Sequence, residues 1–504
     1  IVGLSQDITG SIRKEMAIKS SFKEGLSPQE MWVHAFDSRR GLADRALSTS
    51  EPGALTRRVW NSTQDAIITI ADCGDMQGIF LNIKDSSIVG RYVAQSVRDK
   101  DGTIILQRNK LIGVPEKDKL QNVKDLVGIY VRSPMSCKAV NGICQKCYGT
   151  MPGTNKLPMI GEPVGILASQ AIGEPTAQGV MRTFHAGGAS KPGAQSGFAR
   201  VNEIFNISEN PKHASVLSPV DGRVLSVMRE ITNTVIVLEY EENNRRRTRN
   251  ITVPLTKSVL VKAGDIISKG QRLTEADGAL NPKEILEYKG IDDARDYLVT
   301  ELSTALAGNN INRKHMELAI GKLTDKVEVD RSSTSGWLPG QVIPRNQAER
   351  WNQLNTGKKQ KVSINDVVKL SGSKAARTYK GIGGQIIVNK GDEITVDVIG
   401  KLMAARVKTV DVVPATVSYT PTMFGVIPNP TRGNENWFSQ MGHQNIKEPL
   451  AEGAAFGKTD ILSDPRGRQM AGKLINIGSG FSKWKEEFKS LRDKIGGSIA
   501  GLFD

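Results

Sequence analysis

Apolar residues recur at helical spacing over the first long stretch of the chain, residues 27–65. The stretch opens with signals for a helix start, because Ser27 suits the N-cap, Pro28 suits the first helical position and Glu30 completes a capping box. The apolar positions that follow are Met31, Ala35, Leu42, Ala46, Leu55 and Val59. This pattern predicts one long helix.

The predicted helix contains a weak point at Pro52 and Gly53. A proline inside a helix removes one backbone hydrogen bond and clashes with the preceding turn, at a cost of about 3 kcal/mol, and a glycine adds roughly 1 kcal/mol. Two interpretations follow, either two helices joined by a turn or one helix that must bend at this hinge. The pattern favours neither.

A second helical region surrounds a glycine-rich stretch. One helix is predicted to end at the Gly-Glu-Pro of residues 173–175, and a second to run from Pro175 to His185. Residues 186–197 are rich in Gly, Ser and Pro and predict a mobile loop, after which "FARVNEIF" resumes a helical pattern. The region therefore predicts helix, loop, helix.

One face of the helix before that loop carries unusual chemistry. Its residues are spaced at i, i+3, i+4 and i+7, and they are Gln178, Met181, Arg182 and His185. An arginine prefers phosphate, a methionine packs on a base, and a histidine places a proton near neutral pH. The face is typical of a site for a polar ligand with an apolar ring, and a plain helix terminus is the alternative.

Later regions alternate between apolar and polar positions. Residues 206–285 and 346–415 show alternation with glycine-containing turns, which predicts two β-rich segments, the first resembling a sandwich-barrel element. Residues 286–345 are predicted to be mainly helical. Residues 482–504 place Trp484, Phe488, Leu491 and Ile495 on one helical face, which we interpret as a partner-docking helix because its polar face mixes acids and bases. Together these segments predict an α+β multidomain protein.

Composition adds a partner class. The chain has 504 residues, enough for several domains, and no apolar run long enough to span a bilayer, so we expect no membrane partner. Its net charge of +15 favours a nucleic acid, with an acidic partner subunit as the alternative. The densest basic cluster, Arg245, Arg246, Arg247 and Arg249, lies between two strand-like runs and predicts a hairpin tip, for which an ordinary solvated turn is the simpler interpretation.

The four cysteines form the clearest metal-binding pattern. They are Cys73, Cys137, Cys144 and Cys147, and the last three have the spacing C-x6-C-x2-C. Four thiols in a long chain from a reducing compartment indicate zinc more than disulfides, and Zn²⁺ takes four tetrahedral thiolates. We predict a closed structural Zn²⁺ site without chemistry of its own, and four unrelated buried or redox thiols are the alternative.

Several of these stretches resemble one family. Residues 161–189 ("GEPVGILASQAIGEPTAQGVMRTFHAGGA") resemble the trigger-loop region of the β′ subunit of multisubunit DNA-dependent RNA polymerases, and residues 21–58 resemble its bridge helix and approach. The cysteines match its second zinc site in the same order. Residues 311–323 and 448–480 resemble its C-terminal segments, so the resemblance is collinear from about residue 20 to residue 481.

The resemblance implies a role for each matching residue. Arg182 and His185 are the expected catalytic residues, facing the phosphates of the incoming nucleoside triphosphate, while Met181 packs on its base and Gln178 lies near its ribose. Thr49 and Ser50 match bridge-helix positions at the templating base pair, and Pro52 and Gly53 match the hinge. Two residues depart from the family pattern, since a proline is not expected where Pro52 stands and Ser50 replaces an alanine. The expected DNA contacts are Arg57, Arg58, Arg39 and Arg40.

The family's magnesium-binding motif, NADFDGD, does not occur in these 504 residues. Because this phosphoryl transfer uses two metal ions, the resemblance implies that Mg²⁺ is held by another subunit and that the chain is not active alone. The expected partners are an N-terminal β′-like subunit, β-like subunits, a promoter-specificity factor, the DNA template, the RNA transcript and nucleoside triphosphates. The alternative function is a non-catalytic, zinc-stabilised scaffold that binds nucleic acid.

We expect the chain to be the C-terminal half of a split β′ subunit of a giant-phage polymerase, found in the cytoplasm of an infected bacterial cell or in the virion. The expected divisions are a leading segment (1–26), the bridge helix (27–65), a zinc module (66–155), the trigger loop with its flanking helices (156–205), a β-barrel-like domain (206–285), a helical segment (286–345), a second β-rich segment (346–415), a C-terminal β′ segment (416–481) and the tail helix (482–504).

Overall fold

The computed structural model describes residues 17–478, except for a gap at 184–197 and shorter gaps at 49, 100, 124–125, 209–210, 212–213, 243–244, 275–278, 332–336, 356–358, 366, 371–372, 382, 414–415, 433–436, 443–445, 456, 458, 461, 463 and 476. The chain divides into two compact units, each built from separate stretches. The first unit comprises residues 1–64, 164–322 and 425–427, and the second comprises residues 65–163, 323–424 and 428–504. The predicted tail helix at 482–504 lies outside the described residues.

Helices and strands alternate irregularly along the described chain. The helices are α1 (Pro28–Ser48), α2 (Ser50–Thr63), α3 (Val114–Gln121), α4 (Gln145–Tyr148), α5 (Val164–Thr183), α6 (Phe198–Asn206), α7 (Pro282–Lys289), α8 (Ile291–Ala305), α9 (Arg313–Leu323), α10 (Arg345–Asn355), α11 (Val367–Leu370), α12 (Val396–Ala404), α13 (Trp437–Gln440), α14 (Lys447–Ala455) and α15 (Pro465–Met470). The mixed α+β class is confirmed.

The strands are short outside one sheet. They are β1 (Ile68–Ile70), β2 (Ile79–Asn82), β3 (Val97–Arg98), β4 (Ile104–Leu106), β5 (Gly128–Val131), β6 (Ile143–Cys144), β7 (Gly222–Arg229), β8 (Asn233–Glu242), β9 (Arg245–Pro254), β10 (Ile266–Ile267), β11 (Lys326–Arg331), β12 (Val342–Pro344), β13 (Gln360–Ser363), β14 (Lys374–Ala375), β15 (Tyr379–Lys380), β16 (Ile386–Val388), β17 (Thr409–Val413) and β18 (Ser418–Thr422). None of the helices in the described part of the chain is long and apolar enough to cross a membrane.

The first unit begins with the capping box that the sequence predicts. The backbone N–H of Glu30 donates to Ser27 Oγ at 3.3 Å, and the N–H of Ser27 donates to Glu30 Oε2 at 3.0 Å. The same carboxylate also accepts hydrogen bonds from the N–H groups of Lys19 and Ser20. Glu30 therefore ties the incoming segment to the first turn of α1.

Helix lies on both sides of Thr49, as predicted, and Thr49 itself is outside the described residues. In α2 the predicted apolar positions Leu55 and Val59 are buried. In α1 the corresponding residues are exposed, Met31 and Leu42 by more than half of their surface. Among the described residues, the predicted apolar stripe is therefore packed at its α2 end and exposed along α1.

Helix α5 corrects one prediction. The expected break at residues 173–175 is absent, and the helix runs without interruption from Val164 to Thr183 with Pro175 inside it. A proline removes one hydrogen bond from a helix, but tertiary packing outweighs that loss here. Ala168, Ile172 and Thr176 are buried at successive turns, and Thr176 Oγ1 donates to the carbonyl of Ile172.

The first unit also contains a four-stranded antiparallel sheet in the order β10-β7-β8-β9, within residues 206–285, for which the sequence predicts a β-barrel-like element. Its buried face is apolar and includes Val224, Ile236, Leu238 and Val253. The predicted hairpin is confirmed as β8–β9, and the arginine cluster opens strand β9, at the end of the hairpin where Arg245 pairs with Glu242. Arg247 pairs with Glu242 at 2.8 Å, so neighbouring acids offset part of that positive charge.

The second unit is assembled from small sheets with separate cores. One core packs the β2–β5 and β3–β4 pairs with α3, and it centres on the fully buried residues Ile88, Val93, Ile112 and Leu120. Two three-stranded sheets, β13-β17-β14 and β12-β11-β18, form around further apolar clusters. The pair β1–β6 is parallel, and it brings the first cysteine of the chain towards the other three.

Candidate metal centre and the α2–α5 helix pair

Four local elements of the second unit present the cysteine side chains. Cys73 follows β1, Cys137 follows a 3₁₀ turn at Pro134–Ser136, Cys144 ends β6 and Cys147 lies in α4. The strand pairing depends on Gly142, whose φ is +75° and whose added Cβ would lie 2.2 Å from the carbonyl oxygen of Ile67. Only glycine suits that turn, because both the backbone angle and the close approach exclude a side chain.

The four sulfur atoms lie close enough together to bind one metal ion. All four lie within 4.8 Å of one another, with Cys73 Sγ 3.5 Å from Cys147 Sγ and 3.8 Å from Cys137 Sγ. A tetrahedron with Zn–S bonds of about 2.3 Å has edges of about 3.8 Å. The four cysteines are free, and three of them are buried. The predicted group is therefore brought together and could hold a metal ion.

Backbone N–H groups point at the sulfur atoms. The N–H of Cys147 donates to Cys144 Sγ at 3.3 Å, and the N–H of Cys144 donates to Cys137 Sγ at 3.4 Å. The N–H of Lys138 donates to Cys73 Sγ at 3.4 Å. Hydrogen bonds to the charged form favour thiolates over thiols. The loop is therefore pre-formed to present thiolates, the form that binds a metal.

The four thiols cannot all ionise independently. The pKa of Cys73 is held far below its usual value, first by a hydrogen bond from the Cys137 thiol. The pKa values of Cys137 and Cys147 lie well above the usual value, first because of the neighbouring sulfur atoms of Cys144 and Cys137 respectively, and also because both thiols are buried. Thiols this close together titrate as a coupled group and not one by one.

Two side chains that the sequence reasoning missed support this loop. Arg132 Nη2 donates to Cys73, Cys144 and Cys147 at 3.3, 3.5 and 3.4 Å. Asn346, in α10, donates to the carbonyls of Cys137 and Ala139 at 2.9 and 2.7 Å. Arg132 lies five residues before Cys137, but this spacing alone does not place its guanidinium at the sulfur atoms, and nothing local connects Asn346 to the cysteines.

A second candidate site is formed where α2 packs directly against α5 in the first unit. A Cβ added at Gly173 would lie 2.4 Å from both Cγ2 and Oγ1 of Thr56, so the two backbones meet where α5 has no side chain. Towards the end of α2, Thr63 Oγ1 donates to the carbonyl of Gly165 at 3.0 Å. These contacts connect the two helices at two points along their length.

The helix pair carries part of the predicted nucleotide site. Gln178, Met181 and Arg182 lie in α5, but their side chains are outside the described residues, as are all of Thr49 and His185. Pro52 is buried in α2. The remaining predicted residues of α1 and α2 are all exposed: Arg39, Arg40, Ser50, Gly53, Arg57 and Arg58.

Comparison with known proteins gives a consistent result. The family profile described as RNA polymerase Rpb1, domain 5 matches residues 25–341. The chain is 33% identical over 495 residues to the DNA-directed RNA polymerase subunit beta' of Finegoldia magna, an alignment covering 96% of this chain and 36% of that protein. It is 37% identical over 353 residues to the subunit of the same name from Thermoanaerobacter pseudethanolicus, covering 68% of this chain and 29% of that protein. The chain thus spans about a third of the length of these relatives.

Proposed function

The chain belongs to the RNA polymerase Rpb1, domain 5 family, and we propose that it contributes the bridge helix and trigger loop to a DNA-directed RNA polymerase. The bridge helix is α1 with α2, and the trigger loop is the segment between α5 and α6. One observation carries the proposal. The helix with the predicted template contacts and the helix with the predicted nucleotide contacts pack on each other at Gly173 and Thr56.

Each residue type suits the step assigned to it. Arg182 keeps its charge at all relevant pH values and can grip phosphate oxygens with two parallel N–H groups. His185 would donate to the same phosphates as charge develops on the leaving pyrophosphate, while Met181 packs on the base and Gln178 reaches the ribose. Thr49 and Ser50 would face the templating base pair. Phosphoryl transfer is catalysed mainly by positioning and electrostatic stabilisation, which these groups supply.

Exposed basic side chains on α1 and α2 fit the DNA part of the proposal. Arg57 and Arg58 follow the proposed hinge at Pro52 and Gly53, and Arg39 and Arg40 lie on α1. Phosphate contacts from arginine give affinity that is independent of sequence and falls with salt. We propose that these four residues contact the template backbone.

The proposed function involves two different metal ions, a structural one and a catalytic one. We propose that Cys73, Cys137, Cys144 and Cys147 hold a structural Zn²⁺, since the sulfur geometry fits and four protein ligands leave no open position. Catalytic Mg²⁺ would clamp the attacking and leaving oxygens of the reaction when bound. The aspartates that bind it in the family lie outside these 504 residues.

The test is transcript extension by the assembled polymerase with Arg182→Ala and His185→Ala. Removing one preorganised donor to a developing negative charge costs about 100- to 1000-fold in rate. We expect each variant to extend RNA that much more slowly, while Arg246→Ala, on the exposed β-hairpin, keeps the normal rate. Normal extension by both active-site variants would refute the trigger-loop role and favour the non-catalytic scaffold.

The split subunit and phage origin stay predictions, as do the separate N-terminal β′-like and β-like subunits, the promoter-specificity factor and the location in an infected cell or virion. The intact mass of this chain in polymerase purified from its source tests the split. A polypeptide that contains this sequence but lacks the aspartate motif, with that motif on another polypeptide, is the expected result. A single larger polypeptide that contains both regions would overturn it.

A further inference from the structure

Arg132 is buried completely beside the four cysteines, directly after strand β5. Its Nη2 contacts three sulfur atoms, and the three distances, 3.3 to 3.5 Å, place it over the face formed by Cys73, Cys144 and Cys147. Its Nη1 donates to Asp72 Oδ1 at 2.7 Å and to Asn109 Oδ1 at 2.9 Å. The guanidinium is therefore held in one orientation by polar groups on both of its ends.

The charge of this group is otherwise hard to explain. A buried cation is costly unless it is paired, and Asp72, its carboxylate partner, also pairs with Lys146 at 2.8 Å. Arg132 and Lys146 together leave one positive charge unbalanced after Asp72 is counted. Four thiolates around a divalent ion carry a net charge of −2, and that charge is also buried. The excess positive charge at Arg132 and the excess negative charge of the thiolate group have opposite signs, and Arg132 is in direct contact with the sulfur atoms.

We propose that Arg132 is a positioning residue of the metal centre, which donates hydrogen bonds to three thiolate ligands and offsets their charge so that the metal is retained. This inference rests on the proposed Zn²⁺ site and extends it to a residue outside the ligand set. Asp72 acts through Arg132, because it fixes the Nη1 end and so aims Nη2 at the sulfur atoms. Residues that orient metal ligands in this way change metal affinity by about 10- to 100-fold.

The hydrogen-bond pattern predicts how substitutions rank. Arg132→Met keeps much of the side-chain volume but removes the charge and every donor. Arg132→Lys keeps the charge but has no planar fork to reach Asp72 and the sulfur atoms together. Arg91→Met is the matched control, because Arg91 is equally buried in the same unit and its Nε donates to the carbonyl of Ser87.

The experiment measures zinc content and zinc release to a chromogenic chelator from the full chain and these three variants. We expect one Zn²⁺ in each protein as purified, release from Arg132→Met about 10- to 100-fold faster than from the natural chain, an intermediate rate for Arg132→Lys and an unchanged rate for Arg91→Met. Release from both Arg132 variants at the natural rate would overturn the role of Arg132.

The failure of the zinc proposal has a different signature, since the natural chain itself would then contain no zinc. A second readout covers the case in which Arg132→Met does not fold. Co²⁺ replaces Zn²⁺ in thiolate sites and gives sulfur-to-metal absorption bands, so the spectrum of the folded Arg132→Lys chain reports the ligand geometry directly. A band position and release rate identical to those of the natural chain would contradict the proposal.

Discussion

Replacing Gly173 by alanine tests the contact between α2 and α5. The new Cβ would lie 2.4 Å from Cγ2 and Oγ1 of Thr56 and 2.9 Å from its Cβ. Carbon atoms in contact normally lie about 3.5–4.0 Å apart, so the overlap is about 1 Å. Thr56 cannot turn away without loss, because it is β-branched and its Oγ1 donates to the carbonyl of Pro52 at 2.8 Å.

The expected cost follows from two opposing effects. Overpacking of this kind costs about 1–3 kcal/mol, whereas alanine is better than glycine inside a helix by roughly 1 kcal/mol. With the threonine hydrogen bond at risk, we expect a net loss of about 1–2 kcal/mol in the free energy of unfolding. Gly53→Ala is the matched control, because the added Cβ meets nothing within 4 Å and should stabilise α2 by up to about 1 kcal/mol.

Two measurements report this difference. Hydrogen exchange followed by mass spectrometry gives the opening free energy of peptides from α2 and α5, and urea unfolding gives the midpoint for the whole chain. Gly173→Ala should exchange faster in both helices, and Thr56→Ala should restore part of the protection in the double variant. If Gly173→Ala slows hydrogen exchange in α5 as Gly53→Ala slows it in α2, the inferred close approach of the two helices is refuted.

Two further predictions concern charged side chains in the first unit. The pKa of Glu30 is lowered to about 2, chiefly by the backbone N–H of Ser27 and then by the hydroxyl of Ser20, so this carboxylate stabilises the start of α1 above its unfolded pKa of about 4.5 and the stabilisation is lost as the pH falls towards 2. The protection factors of residues 17–31, which are exchange rates corrected for the intrinsic pH dependence, should fall over that range in the natural chain. Glu30→Gln should remove this fall, and a fall that persists in the variant would contradict the prediction. Arg200→Met should destabilise α6 by about 1–3 kcal/mol in urea unfolding, because Arg200 bonds to Glu301 at 2.6 Å, to Glu203 at 2.7 Å and to Tyr297, and its loss leaves these acids without their cation. Arg246→Met removes only an exposed contact to Glu239 at 3.9 Å and should change stability by well under 1 kcal/mol, so equal effects of the two substitutions would refute the anchoring role of Arg200.

Structural features that depend on a few neighbouring residues could be predicted from the sequence. The capping box at Ser27 and Glu30 depends on a spacing of three residues, and the β8–β9 hairpin depends on alternation on both sides of a polar turn. Four cysteines in a suitable pattern have few ways to be used, so their convergence could be predicted before the strand pairing that achieves it was known. The arginine cluster was harder, because the acids of β8 that oppose it become its neighbours only through the register of the hairpin.

Tertiary contacts decided the features on which the proposed functions depend. The sequence by itself predicted a break before Pro175, and α5 continues through it because residues on successive turns are buried. It also predicted the four metal ligands, but not Arg132, since a guanidinium becomes their neighbour only when β5 is folded beside the cysteine loop. Spacing along the chain determines which groups a helix turn or a cysteine loop can present. Long-range packing determines which backbone irregularities are tolerated and which buried charge faces those groups.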